Sequence, residues 1–163
     1  MRDERFKAVH RGGPLDPHRH RLLATWAADC AEHVLPLFKG QYPQDDRPRR
    51  AIEAARAWAR GEFTVGEARA AGIAAHAAAR KAVEGAARAA ARAAGQAVGT
   101  AHMADHARHA AAYAVQAVQA AGRGGNARAD RERTWQLERL PEEIRPLIAQ
   151  RLMRGGLNPR ARV

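Results

Sequence analysis

A long proline-free stretch dominates this sequence: no proline occurs between Pro48 and Pro141, and alanine and arginine fill most of that interval. Alanine makes up 41 of the 163 residues. Alanine loses the least free energy on entering a helix, and arginine loses little more. No segment has the alternating β-branched or aromatic pattern of a strand. The sequence therefore predicts an all-α protein, a single-domain bundle of six or seven helices with alanine-rich, close-packed central helices.

Local signals indicate where the first helices begin. Asp16 and Pro17 have the N-cap and first-turn chemistry of a helix that reaches about Phe38. The segment from Asp45 to Pro48 opens a second helix with carboxylates at its positive end. Thr64 and Glu67 have capping-box spacing for a third. Further helices are predicted over about 86–100, 103–121 and 130–139 and from residue 141 onward, where Pro146 is expected to divide the last one. We expect residues 1–15 to form a flexible arm, 16–154 the helical domain and 155–163 a basic tail.

The core is expected to combine bulky ends with a tight alanine-rich middle. Trp26 and Trp58 lie on apolar stripes and are predicted to be core anchors. Gly72 and Gly95 are predicted to mark close helix crossings. Cys30 lies near His33, which allows a metal or nucleophile pair, but its place on the buried stripe of the first helix favours packing.

The formal net charge of +11 raises the possibility of nucleic-acid binding. The distribution argues against it, because residues 22–122 carry 12 basic and 9 acidic groups and the excess lies toward the two ends. The scarcity of lysine beside abundant arginine and alanine is better explained by a GC-rich genome. A single cysteine, no apolar stretch of about 20 residues and no apolar signal core predict a cytoplasmic protein.

A group of histidines offers further candidate metal ligands. His102, His106 and His109 have the spacing of one helix face, and His76 adds a further imidazole. The H-E-x-x-H and E-x-x-H patterns of helical metal sites are absent, however. We therefore predict no metal and no cofactor, and keep His76, His102 and His106 as weak metal candidates. P-loop, G-x-S-x-G and C-x-x-C signatures are absent too, so no catalytic residue is predicted.

A short segment of mixed charge is the best candidate for partner binding. Residues 45–50 read Asp-Asp-Arg-Pro-Arg-Arg, which fits either helix capping or a polar docking surface. Two acids of the first helix are expected to face water nearby. The candidate partner-binding residues are Asp29, Glu32, Asp45, Asp46, Arg47 and Arg49.

Four segments resemble the immunity-five-like family, the immunity proteins of bacterial polymorphic-toxin systems. They are Trp26-Ala-Ala-Asp29-Cys30-Ala-Glu32, the run from Asp46 to Trp58, the run from Ala74 to Arg80, and Ala93-Ala-Gly-Gln96-Ala leading to Thr100-Ala-His102. The resemblance covers about residues 20–121, with Gln96 standing where similar sequences often have histidine. It implies an all-α cytosolic protein that binds and neutralises a cognate toxin, and it supplies no catalytic residues.

Three hypotheses follow. The first is a non-catalytic protein-binding module of immunity type, with a protein toxin as partner. The second is a nucleic-acid-binding helical protein, which would show steep salt dependence. The third is a helical bundle that binds a metal or small ligand through His76, His102 and His106. The absence of catalytic signatures and the resemblance favour the first.

Overall fold

The structure, a computed structural model, describes residues 3–153, which form seven α-helices and three short 3-10 helices. The α-helices are α1 (Pro17–Lys39), α2 (Arg47–Ala59), α3 (Val65–Lys81), α4 (Ala86–Gly99), α5 (His106–Ala120), α6 (Gly125–Glu138) and α7 (Arg145–Met153). No β-strand occurs in this range, where an isolated bridge joins Ala8 and Leu15. The all-α prediction is confirmed. None of the helices in residues 3–153 is long and apolar enough to cross a membrane.

Two predicted helix starts are confirmed by their hydrogen bonds. The Asp16 carboxylate accepts from the backbone N–H of Arg19 at 2.9 Å, which caps α1. At the start of α3, the Thr64 hydroxyl accepts from the Glu67 N–H at 3.2 Å, and the Glu67 carboxylate accepts from the Thr64 N–H at 2.7 Å. This reciprocal capping box satisfies two backbone donors that have no partner within the helix.

Helix α4 lies at the centre of the bundle and packs against α1, α2, α3 and α5. Ten of its fourteen residues are buried, and all ten are alanine, glycine or valine. The α3–α4 crossing is close because glycines line it: a Cβ on Gly72 would lie 3.1 Å from Val98 Cγ1, and one on Gly95 would lie 2.5 Å from His76 Cε1. The predicted close packing of the alanine-rich helices is therefore confirmed.

Bulky side chains pack around this central unit. Trp26 is only 2% exposed and lies in the core with Leu23, Val34 and Phe38 of the same helix. Trp58 differs from the prediction, because it is partly buried at the edge of the core, with its ring centroid 4.8 Å from that of His20. Only one of the two predicted tryptophan anchors is thus fully enclosed.

Residues 3–15 form two 3-10 helices that pack on the bundle, where the sequence suggested an irregular arm. Phe6 and Leu15 are buried, and the Phe6 ring lies 5.0 Å from the guanidinium carbon of buried Arg108. Arg108 also pairs with Asp105 and lies 3.7 Å from an Asp3 carboxylate oxygen. The predicted basic tail at 155–163 lies outside the described residues, and the division into arm, domain and tail stays a prediction.

Several helix limits differ from the expected ones. Turns occupy residues 100–105, so α5 begins at His106 and His102 lies in the turn before it. Helix α6 begins at Gly125, before the expected Asp130, because left-handed Gly124 (φ 72°) starts it. Pro146 lies in the first turn of α7, where its missing N–H has no helical partner to lose. Helix α1, which the sequence predicts to reach about Phe38, contains Pro36 and ends at Lys39.

Candidate functional site

Arg56 joins the two acids that the sequence singled out on α1. Its guanidinium reaches from α2 and donates to Asp29 Oδ1 at 2.7 Å and to the two Glu32 carboxylate oxygens at 2.9 and 2.8 Å. The hydrogen bonds from Arg56 lower the pKa of the Glu32 carboxyl. The bonds to Glu32 and Asp29 raise the pKa of the guanidinium. Both acids are therefore held at the surface in fixed positions.

Asp45 and Arg47 form a second pair at the start of α2. The Nε and NH2 groups of Arg47 donate to the two Asp45 carboxylate oxygens at 2.9 and 2.6 Å. The Arg47 backbone N–H donates to the same carboxylate at 3.2 Å. The side-chain hydrogen bond from Arg47 lowers the pKa of the Asp45 carboxyl. Asp46 occupies the N-cap position of this helix, but its side chain makes no capping hydrogen bond.

Asp46 instead takes part in a chain of surface ion pairs along α2. One of its carboxylate oxygens lies 3.4 Å from Arg49 NH2 and 2.8 Å from Arg50 Nε. Arg49 also pairs with Glu53, one turn further along the helix. Positions 49, 53 and 56 are spaced i, i+4 and i+7, which places Arg49 and Glu53 on the same helix face as Arg56.

The six predicted partner-binding residues all take part in the set of ion pairs formed by α1 and the start of α2. We call this set the α1–α2 charged face, and it comprises Asp29, Glu32, Asp45, Asp46, Arg47 and Arg49 together with Arg50, Glu53 and Arg56. The sequence missed Arg56, because nothing in the local pattern shows that a residue of α2 reaches acids of α1. The i, i+4 spacing of Arg49 and Glu53 could have revealed that pair.

This arrangement suits recognition by charge. Its arginines are held by carboxylates in fork-like hydrogen bonds, which restricts their rotamers before any partner arrives. Exposed ion pairs of this kind add little to the stability of the fold, about 0–1 kcal/mol each. Their fixed geometry presents positive and negative groups side by side, which is the pattern that the polar rim of an interface needs.

Two of the three histidines proposed as weak metal candidates, His76 and His106, are held by hydrogen bonds within the bundle. Nδ1 of His76 accepts from Arg92 NH1 at 3.1 Å. Nδ1 of His106 lies 2.6 Å from Oε1 of Gln96. The ring centroids of His102 and His106 are 5.1 Å apart. Among residues 3–153, no group of three or more His, Cys, Asp or Glu is arranged to hold a metal ion.

Burial keeps two of these histidines neutral. It is the main cause that lowers the pKa of His76 to about 4, and the positive charges of Arg92 and Arg80 act in the same direction. Burial likewise lowers the pKa of His106 to about 4, assisted by His102 and His109. At neutral pH both imidazoles are therefore uncharged hydrogen-bonding groups.

A buried polar network between α1 and α6 was also missed from the sequence. Glu132, with a side chain 2% exposed, accepts from His33 Nδ1 at 2.7 Å and from Gln136 Nε2 at 3.0 Å. Trp26 Nε1 donates to the Gln136 carbonyl oxygen at 3.0 Å. Cys30 is fully buried beside this network, and its burial raises the pKa of the thiol. Since His33 pairs with Glu132, the packing interpretation of Cys30 is confirmed.

Comparison with known proteins adds a family assignment to this geometry. No curated protein and no solved structure matches the chain. The model of one protein family, described as Imm-5 like putative immunity protein, does match, and it covers residues 13–143. That range contains α1 to α6 and every residue of the α1–α2 charged face. Because the match spans most of the chain, the protein belongs to the Imm-5 like immunity protein family.

Proposed function

We propose that this protein is a non-catalytic immunity protein of the cytoplasm that binds a cognate toxin protein and neutralises it. The observation that carries the proposal is the family match over residues 13–143. The chemistry of the described side chains supports it. The single cysteine is buried, and His76 and His106 are hydrogen-bonded inside the bundle. Neutralisation by binding needs none of these groups as a nucleophile or a base.

The α1–α2 charged face is the contact surface that we propose for the toxin. It presents the six predicted residues on two helices whose inner sides are anchored in the core by Trp26 and Ile52. A rigid scaffold lowers the entropy lost on binding, since the interface side chains are already partly ordered. Charged groups of both signs also favour one partner over others, because a mismatched partner would meet like charges.

The test exchanges the two members of one ion pair. In the double variant Asp45→Arg with Arg47→Asp, the pair can still form, but the charges presented to a partner are reversed. As a matched control, Asp130→Arg with Arg133→Asp exchanges a surface pair of α6 whose nitrogen and oxygen lie 2.9 Å apart. A pull-down from the native host with the wild-type protein as bait first isolates the candidate toxin. Bacteria that produce this toxin are grown with the wild type or with either variant, and the complex is measured by calorimetry.

The wild type and the α6 control are expected to protect the cells, and the Asp45/Arg47 exchange should weaken toxin binding about tenfold or more. The exchange also removes a capping hydrogen bond worth up to about 1 kcal/mol, so binding is compared at matched folded fractions. Full protection by the exchanged variant would remove this face from the interface. Failure of the wild type to bind the toxin would contradict the immunity function. Recovery of only nuclease-sensitive material would favour the nucleic-acid alternative.

A further inference from the structure

The outer edge of α4 forms a second charged surface, which differs from the α1–α2 charged face in its pairing. Helix α4 lies between α3 and α5, and its residues 88 and 92 are partly exposed between these neighbours. On α3, positions 69, 73, 76 and 80 share one helix face, with the first, second and last exposed. We call this surface the arginine face, defined by Arg69, Ile73, Arg80, Arg88, Arg92 and Tyr113.

Contacts across the three helices show that this surface is continuous. Arg92 of α4 donates a hydrogen bond to His76 of α3 at 3.1 Å, and the positive charge of Arg80 helps to lower the pKa of His76. On the other side, α4 and α5 enclose a cavity of about 220 Å³ that is lined by Arg88, Arg92, Tyr113 and Gln116 and opens beside Gly85. The Arg92 guanidinium thus lies between α3 and a polar cavity shared with α5.

The arginines of this face are largely unpaired. Among residues 3–153, Arg69, Arg80 and Arg92 have no carboxylate partner, and Arg88 pairs with Glu84. His76, which accepts a hydrogen bond from Arg92, is never negatively charged and cannot neutralise these arginines. The α1–α2 charged face, in contrast, pairs each of its arginines with an acid. The arginine face therefore presents a positive potential that the Glu84 carboxylate offsets only at Arg88.

Two further features indicate the kind of group that would bind here. The side-chain oxygen of Gln116 is enclosed and has no hydrogen-bond partner among the described atoms, and as an acceptor it would pair with an N–H group of a bound segment. Ile73 is 66% exposed and offers an apolar contact between Arg69 and Arg80. A peptide segment offers N–H donors for the Gln116 oxygen and apolar side chains for Ile73, and acidic residues within it would match the unpaired arginines.

We propose that the arginine face binds an acidic segment of the protein partner, with one carboxylate in the cavity beside Arg92 and further acids reaching Arg69 and Arg80. The guanidinium fork suits a carboxylate, because it can donate two parallel hydrogen bonds. The inference rests on the proposed function and deepens it, since it assigns a chemistry to a second contact surface for the same partner.

The composition of the face favours a protein over a nucleic acid. Single-stranded nucleic acids are held by basic grooves interleaved with several aromatic rings on which bases stack. Here Tyr113 is the only aromatic side chain among the six defining residues, no lysine is present among them, and Ile73 is exposed where a base would need a flat ring. Binding of a nucleic acid is therefore the alternative that the following test can detect.

The test measures binding of a fluorescein-labelled glutamate-rich peptide to the full chain by anisotropy, with a glutamine-rich peptide of equal length as the neutral probe. A salt concentration of about 0.15 M suppresses long-range attraction. The variant Arg69→Gln with Arg80→Gln removes two exposed charges that hold no described ion pair, so folding should be unaffected. Arg92→Gln tests the cavity. The matched control, Arg21→Gln with Arg131→Gln, removes the same charge from α1 and α6.

We expect the glutamate-rich peptide to bind, with a Kd about tenfold higher for each arginine-face variant and within about twofold of the wild type for the control. Equal weakening in the control would assign binding to the overall charge and overturn the inference, as would failure of the peptide to bind. Tighter binding of a single-stranded oligonucleotide of equal charge would overturn it in favour of nucleic acid. The assay contains no toxin, so its failure is distinct from failure of the protection assay.

Discussion

Trp26 is held at both its apolar and its polar end. Its ring is buried among the large side chains of α1, and its indole N–H donates to the carbonyl oxygen of Gln136 in α6. A buried tryptophan whose N–H has a partner combines a large buried area with a satisfied donor. This single residue therefore connects the core of the first helix to the last third of the chain.

We expect Trp26→Ala to lower the free energy of unfolding by about 3–5 kcal/mol, through the lost apolar burial and the cavity left behind. Trp58→Ala should cost clearly less, because Trp58 is already partly exposed. Urea denaturation of both variants, followed by circular dichroism, measures the difference. Equal losses would mean that the edge position of Trp58 is as important as the core position of Trp26.

At this scale, spacing predicts burial only in part. The stripe that contains Trp26 follows the helical period, so its burial could be expected from the sequence. Trp58 has an equally good local pattern. Its outer side, however, contacts His20 of α1, which lies 38 positions earlier in the chain, and not a continuous layer of apolar groups. The neighbour that decides its exposure is set by tertiary packing, which the local pattern does not contain.

At the level of helices, the α3–α4 crossing depends on glycine at position 95. The ring of His76 occupies the space where a side chain would begin, and any Cβ there would lie within 2.5–2.8 Å of three ring atoms. We expect Gly95→Ala to lower the free energy of unfolding by about 1–3 kcal/mol, although alanine is the better helix former. The displaced ring would also lose its hydrogen bond from Arg92.

Gly66→Ala is the matched control for this crossing. Position 66 lies in the first turn of α3, and the nearest atom to a new Cβ would be Thr64 Oγ1 at 3.8 Å. This substitution should stabilise the protein by up to about 1 kcal/mol, because it changes only the conformational entropy that the backbone loses on folding. Urea denaturation of both variants gives the comparison, and a neutral or stabilising Gly95→Ala would show that the helices can separate at little cost.

The α1–α6 contact depends on a buried carboxylate. In His33→Ala, Glu132 keeps its hydrogen bond from Gln136 but loses its histidine partner. We expect a loss of about 3 kcal/mol, since an uncompensated buried charge is costly. Adding Glu132→Gln to this variant removes the charge and should restore part of the stability. If the double variant is no more stable than His33→Ala, the carboxylate charge is not the source of the loss.

The helix starts and the helix contacts differ in how far the sequence predicts them. Asp16, Thr64 and Glu67 act through bonds within three residues, so their patterns could be recognised directly. The start of α6 was missed, because glycines at 124 and 125 usually indicate a loop, whereas here Gly125 permits close approach to the Gln119 carbonyl oxygen. The His33–Glu132 pair spans 99 positions of the chain, and no periodic pattern connects them.

Over the whole molecule, the net charge of +11 is less informative than the pairing of the charges. Acids of α1 and α2 bind the arginines of the α1–α2 charged face, while the arginine face has unpaired guanidinium groups. Counting charges along the sequence gave near balance for residues 22–122 and missed this separation. The two faces arise only when α2 folds against α1 and α4 is enclosed by α3 and α5.

Acid should destabilise the whole molecule in a window of pH set by its partly buried histidines. The pKa of His76 and of His106 is about 4 in the folded chain, compared with about 6.5 when unfolded. Between these values the unfolded chain binds more protons, so the free energy of unfolding falls as the pH is lowered from about 6.5 to 4. Burial also lowers the pKa of His20, which adds to the loss in the same direction.

Each of the two low-pKa histidines should contribute about 2 kcal/mol to this loss, after discounting for partial exposure. Urea denaturation at intervals of pH from 7 down to about 4.5 measures this loss of stability. Paired carboxylates such as Asp45 titrate below that range, because Arg47 lowers the pKa of the Asp45 carboxyl. The double variant His76→Gln with His106→Gln should be less stable than the wild type at pH 7 yet depend less on pH. His18→Gln, which removes an exposed histidine, is the control and should keep the wild-type slope. If the free energy of unfolding of the double variant depends on pH as steeply as that of the wild type, the acid sensitivity arises from other groups. The assignment of neutral imidazoles at the α3–α4–α5 junction would then be wrong.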